Sequence, residues 1–267
     1  MSANSITRNM ENIARAGLTA KAVVYVLLGV LAFMAAFGIN ETSAEDTSKS
    51  GVFDFIMQQP AGSVLLWIVT AGLTCYFLWR VFQTFTDSEG QGKDVKGLGI
   101  RGRYLFSGLV YGSLAVQSAR MLLFHKKNSG DNSQDMVQEL LSKPLGQWLV
   151  GFVAAIFLAV GFYQIWYGLS EKYRKHVNKS VPAKVKPILL NAGKIGYVAR
   201  GVVWLILSYL FFQAAFSANA SEAGNTSKAL NVISNVDYGP YLLALIGFGL
   251  ICYGLFNFVR ARFEKFG

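Results

Sequence analysis

Histidine and cysteine are nearly absent: two of each occur in 267 residues. Two thiols cannot build a disulfide framework, and two imidazoles leave little for metal ligation or acid–base catalysis. Charge is short as well, at 15% of residues against about a quarter in soluble domains. Apolar residues take its place: they make up 53% of the chain and the mean hydropathy is +0.37, yet the net charge is +10. That pairing excludes a disordered tail and disfavours a soluble globule. It fits a polytopic membrane protein whose charges are kept to its loops.

A bilayer core about 30 Å thick needs ~20 apolar helical residues. Six stretches supply them, roughly Ala20–Gly38, Gly62–Phe82, Tyr104–Phe124, Gly146–Gly168, Tyr197–Ser217 and Pro240–Phe258. The third is the weakest, because Gln117, Ser118 and Arg120 fall near its end. No acidic residue lies inside any of the six, which disfavours proton coupling through carboxylates. Basic residues sort to one side. The N-terminus through Lys21, the segments Arg80–Arg103 and Lys172–Arg200, and the C-terminal tail together hold nineteen of the 25. Both termini are therefore expected in the cytoplasm. The basic start and first apolar run, followed by Ala35 and Ala36, could pass for a secretory signal. Cleavage is not expected, because that span has a counterpart deep in the chain.

The counterpart belongs to an internal repeat. Ala20-Lys21-Ala22-Val23-Val24-Tyr25 returns as Ala199-Arg200-Gly201-Val202-Val203-Trp204, an offset of 179, and more weakly as Gly108-Leu109-Val110-Tyr111. Gly72-Leu73-Thr74-Cys75-Tyr76-Phe77-Leu78 returns as Gly249-Leu250-Ile251-Cys252-Tyr253-Gly254-Leu255, an offset of 177. The even spans open on a Pro/Gly mark at Pro60 and Gly62, Pro144 and Gly146, and Gly239 and Pro240. Before each mark stands an apolar cluster at one-face helical spacing: Val52, Phe53, Ile56 and Met57; Met136, Val137, Leu140 and Leu141; Ala229, Leu230 and Ile233. Ser48, Asn132 and Asn225 are the expected caps of these short outer amphipathic helices. The pattern predicts an all-α membrane protein: six transmembrane helices as three pseudo-threefold-related hairpins, each carrying an outer half-helix. The units run about 12–82, 100–168 and 193–260, with a basic cytoplasmic loop at 169–196.

On these residues the chain resembles the bacterial family called domain of unknown function 1206, from about Asn12 to Arg260. The middle unit departs most, with Ser107 where Lys21 and Arg200 stand and Ala159 where the cysteines stand. The resemblance implies a bacterial cytoplasmic-membrane protein without an established activity. It supplies no catalytic residues.

Gly97-Leu98-Gly99-Ile100-Arg101-Gly102 matches the dinucleotide fingerprint, but that mechanism needs a preceding strand and a soluble helix. A flexible loop is expected instead. Cys75 and Cys252, at equivalent positions, read as inert packing residues. Polar residues inside the spans are the better candidates, since a charge at mid-bilayer costs ~2.5–3.5 kcal/mol. Arg80, Gln164 and Asn257 are repeat-equivalent near the inner ends of the even spans, and Lys21 and Arg200 open the odd ones. Together they form a candidate polar vestibule, with headgroup snorkelling as the simpler reading. Arg120, with its repeat counterpart Gln213, is a candidate outer polar site. The basic run Lys172–Lys194 suits anionic headgroups at the cytoplasmic face; it lacks the aromatic platforms of nucleic-acid binders.

No His-rich ligand set and no nucleophile–base arrangement is visible, and no cofactor is expected. The expectation is a membrane protein without enzymatic activity, organising the membrane or binding a partner. The alternative is a small-solute or ion pathway along the pseudo-threefold axis. Mitochondrial-type carriers also use three two-span repeats, but their Pro-x-Asp/Glu-x-x-Lys/Arg signature is missing.

Overall fold

The computed structural model describes residues 3–86, 92, 94–124, 132–176 and 186–264, and all regular structure among them is helical. Six long helices are α1 (Ala3–Ala36), α3 (Gly62–Thr86), α4 (Val95–Phe124), α6 (Gly146–Leu169), α7 (Lys186–Ser217) and α9 (Gly239–Phe263). Three short ones, α2 (Lys49–Met57), α5 (Asn132–Leu141) and α8 (Thr226–Ser234), lie between the members of each long pair. Five of the long helices are long and apolar enough to cross a membrane; α4 is not. Its Arg101, Arg103, Ser107, Ser113, Gln117, Ser118 and Arg120 lower its hydropathy. Part of that polarity faces the protein: Ser118 is fully buried and accepts a hydrogen bond from the Thr70 hydroxyl of α3 at 2.9 Å.

Two expected loops turn out helical. Residues 97–102 form the first turns of α4, where Asp94 Oδ1 accepts the Gly97 N–H at 3.2 Å. The helix takes up the backbone N–H groups that a phosphate cradle would need. The basic loop expected at 169–196 ends early, since α7 starts at Lys186 and Pro187 sits in its first turn, where its missing N–H breaks no bond. Residues 177–185 lie outside the described ones.

The short helices form at the expected places, although Met136 of the α5 cluster is exposed. Ser48 Oγ accepts the Gly51 N–H at 2.8 Å, and Asn225 Oδ1 accepts those of Ser227 and Lys228. Val52, Phe53 and Ile56 of α2, Val137 of α5, and Ala229, Leu230 and Ile233 of α8 are buried. Asn132 is the first residue of α5 rather than a residue ahead of it. The even helices are entered through one repeated turn. Ala61, Leu145 and Tyr238 adopt left-handed φ of 59, 64 and 61°, each followed by a glycine. A Cβ on Gly62, Gly146 or Gly239 would collide with the carbonyl oxygen of Ile56, Leu140 or Ser234. Glycine is therefore the equivalent residue in all three turns. Pro60 and Pro144 precede the helix, and only Pro240 lies within its first turn.

Small residues set the helix contacts, as expected where lipid cannot drive helices together. Gly17 rests on the Tyr76 backbone and Gly196 on that of Tyr253, at 2.6 and 2.5 Å from a notional Cβ. Gly72 abuts Ala20, and Gly249 abuts Ala199. These contacts close α1 on α3 and α7 on α9. A second set joins each even helix to the next odd one: Phe77 on Gly108 and Gly112, Gly161 on Gly201, Gly254 on Val26. Contacts thus run α4–α3–α1–α9–α7–α6, while α4 and α6, the ends of this arc, barely touch.

One repeat-equivalent cation per junction fastens these pairs, a guanidinium at two of them. Arg15 Nη1 donates to the Ala261 and Arg262 carbonyls at the end of α9. Arg101 donates from Nε and Nη2 to the Thr84 and Phe85 carbonyls at the end of α3. Donors and acceptors are repeat-equivalent, and each satisfies carbonyls that a helix terminus leaves open. At the third junction the counterpart is Lys194, 3.9 Å from the Glu171 carboxylate just past α6.

Candidate functional site

The open pair has a sequence cause. The small residues that close the outer two hairpins are replaced in the middle one: Gly17 corresponds to Arg103, Ala20 to Phe106 and Gly72 to Ile156, while Val160 stands in place of Tyr76. The larger Arg103, Phe106 and Ile156 at these crossings hold α4 off α6. All four replacements line a cavity of about 580 Å³.

The rest of its wall is cationic and aromatic. Lys21, Arg80, Arg103 and Arg200 all line it, with Tyr76, Tyr111, Tyr197 and Tyr253. Lys21 is only 4% exposed. Its Nζ lies 5.1, 5.3 and 5.3 Å from the ring centres of Tyr76, Tyr111 and Tyr253, and 3.4 Å from the Tyr76 hydroxyl. Arg80 donates to that hydroxyl from Nε and Nη2 at 2.9 and 2.7 Å, and from Nη1 to Gln83. Arg200 Nη1 donates to the Tyr253 hydroxyl at 2.6 Å, while its Nε has no partner. Among the described residues no carboxylate pairs with any of these four cations. Glu264 lines the cavity too, but both its oxygens accept from Arg260, at 2.7 and 3.0 Å.

The chamber is blind toward the half-helices. Tyr25, Tyr111 and Trp204 occupy equivalent repeat positions and are all buried, and the Tyr111 hydroxyl donates to that of Tyr25 at 3.3 Å. Tyr111 and Trp204 line the cavity, and Tyr25 does not. Beyond the layer, Lys49 of α2 comes within 5.9 Å of the Tyr111 ring, and burial holds its ammonium below the ordinary lysine range. At the other end Tyr173 stacks on Tyr197, donates to the Leu190 carbonyl, and has its pKa raised by burial.

Of the residues expected around a vestibule, Lys21, Arg80, Gln164 and Arg200 share this chamber. Gln164 is 7% exposed and its Oε1 has no partner. Asn257 is not part of the lining: fully buried, it donates from Nδ2 to the Tyr253 carbonyl one turn back. Arg120 is exposed on α4 and Gln213 half-buried on α7, helices that scarcely meet. Cys75 and Cys252 are both free. Sequence reasoning missed the tyrosines and Arg103. The repeat offsets that paired Lys21 with Arg200 also pair Tyr76 with Tyr253, and Arg103 with two glycines.

One family model matches the chain three times, at 16–87, 103–171 and 195–264. The chain belongs to the family described as Domain of Unknown Function (DUF1206). Each DUF1206 match spans one long helix pair with its half-helix, so the repeat inferred from the offsets is the family's own unit. The chain is also similar to the uncharacterized protein YxxB of Bacillus subtilis (strain 168), 30% identical over 256 residues, covering 96% of this chain and 91% of that one. No solved structure matches it.

Proposed function

We propose that this DUF1206 protein is a six-span protein of the bacterial cytoplasmic membrane that binds an anion in the chamber between its long helices. In this reading three hairpins surround a pseudo-threefold axis, α4 crosses with its polar side turned inward, and both termini are cytoplasmic. The repeat-equivalent contacts of Arg15 and Arg101, and the paired glycine crossings, support the symmetry. The one-sided distribution of lysine and arginine supports the orientation. Exposed Val64, Ile68, Phe152, Phe162 and Leu245 suit a lipid-facing surface, where a soluble protein would rarely leave so many.

One observation carries the ligand: Lys21, Arg80 and Arg200 converge on one cavity, with no carboxylate partner among the described residues. Taking an ammonium or guanidinium out of water costs several kcal/mol, and tyrosine faces and hydroxyls return only part of that. An anion in the chamber completes the balance. The aromatic layer Tyr25–Tyr111–Trp204 favours a binding site over a conduit along the axis. In this reading the protein acts by binding.

Titrating inorganic phosphate into the purified protein tests the site. Saturable binding that is weakened at least tenfold by Lys21→Gln or Arg200→Gln is the expected result. No binding, or binding indifferent to both changes, would refute it. Orientation is read separately from single cysteines at Ser43 and Ser170 in a Cys75→Ala/Cys252→Ala background. Only the first should react with an impermeant reagent added to whole cells.

A further inference from the structure

We infer that the anion is the headgroup of an amphiphile, and that it enters from the bilayer, sideways, between α4 and α6. This rests on the anion-binding reading of the chamber and adds the ligand's apolar half. Elsewhere along the arc, neighbouring long helices are in close contact. At α4 and α6 the replacements Arg103, Phe106, Ile156 and Val160 leave a slot rather than a seam.

The slot's walls are graded. Phe106 and Val110 of α4 and Ile156, Ala159 and Val160 of α6 line it with hydrocarbon. Ala159 is at once exposed and part of the cavity lining, so it stands at the mouth. Toward the basic end of the bundle Arg103 Nη1 donates to the Tyr163 hydroxyl at 2.6 Å across the slot. Deeper lie Lys21, Arg80 and Arg200. Arg200 Nε, a buried donor without a partner, belongs to a residue of this cavity's lining.

Shape and chemistry together select the ligand. The volume falls within the ~300–1,000 Å³ of small-ligand pockets. It admits a headgroup and the start of a chain but not a whole two-chain lipid, so the remainder must lie in the slot and in the bilayer beyond. A phosphate monoester suits the far end, since it accepts from several donors at once and one guanidinium can hold two of its oxygens. Phosphate free in solution would use the cations and leave the apolar walls empty.

The full chain in phosphatidylcholine nanodiscs is titrated calorimetrically with dodecyl phosphate, with inorganic phosphate and with dodecylphosphocholine, against empty discs. Dodecyl phosphate should bind at least tenfold more tightly than inorganic phosphate, and the zwitterion should not compete. Ala159→Trp on one wall and Val110→Trp on the other should each weaken dodecyl phosphate at least tenfold while leaving inorganic phosphate within twofold. Lys21→Gln should weaken both. If the two phosphates bind alike, or neither tryptophan matters, the lateral route is overturned while the anion site stands. If neither phosphate binds, the chamber reading fails with it.

Discussion

Replacing Lys21 by methionine separates a cation that holds the fold together from one that awaits a ligand. Met preserves the length and most of the volume of the side chain and removes only its charge. In the unliganded protein the ammonium is almost fully buried, with three tyrosine faces near 5 Å, one long hydrogen bond and no counter-ion among the described residues. Three cation–π contacts return about 3 kcal/mol, and the hydrogen bond about 0.5–1. Desolvating the ammonium costs several kcal/mol. The sum lies near zero or slightly against the native residue, so Lys21→Met should leave the unliganded protein unchanged or more stable by up to about 2 kcal/mol. The ligand reverses the order. An anion at a hundred times its Kd stabilises the native chain by about 2.7 kcal/mol, and the variant should lose nearly all of that. Thermal unfolding in detergent, with and without dodecyl phosphate, reads both effects in one series. A loss of more than about 1 kcal/mol without ligand would show the charge already compensated and refute the reasoning.

Other substitutions test the frame. Gly72→Leu and Gly249→Leu drive side chains into Ala20 and Ala199 and should each cost about 1–3 kcal/mol in unfolding assays, while Ile156→Leu at the third equivalent position should be nearly neutral. Arg101→Ala leaves the Thr84 and Phe85 carbonyls without their charged donor and should cost about 1.5–3 kcal/mol, with hydrogen exchange rising first at the end of α3. Ser48→Ala and Asn225→Ala should each cost about 1 kcal/mol, seen as faster exchange in α2 and α8.

The architecture was open to reading because the copies carry the same small residues at fixed offsets. The match of Ala20–Tyr25 with Ala199–Trp204 located two long helices and made Lys21 and Arg200 neighbours before any coordinate was known. Capping residues and one-face spacing located α2 and α8 in the same way. What escaped had weaker local signals. The left-handed turn residues Ala61, Leu145 and Tyr238 share no chemistry, because the need is for a backbone angle and for the glycine that follows. The Gly97–Gly102 run looked like a loop, since glycine propensity hides the cap at Asp94. The chamber itself was written as a set of departures: Arg103 opposite two glycines and Ile156 opposite two more. Attention went to what the units share, and the site lies where they differ. Asn257 shows the converse, since equivalence in sequence placed it with Gln164 while a bond to its own helix keeps it out of the cavity.

The contact between α9 and α1 is built like that between α3 and α4, with a guanidinium on the last carbonyls of the preceding helix, and a lysine holds the equivalent place between α6 and α7. Two of these joints are also spanned by peptide bonds; the third is not. Covalent order is therefore incidental to the assembled state: the first and last long helices of the chain, α1 and α9, meet in the middle of the arc, and its ends are α4 and α6. Halves cut within 177–185 and produced together should find each other in the membrane, and a gene rewritten to start at the third unit should still encode the same bundle.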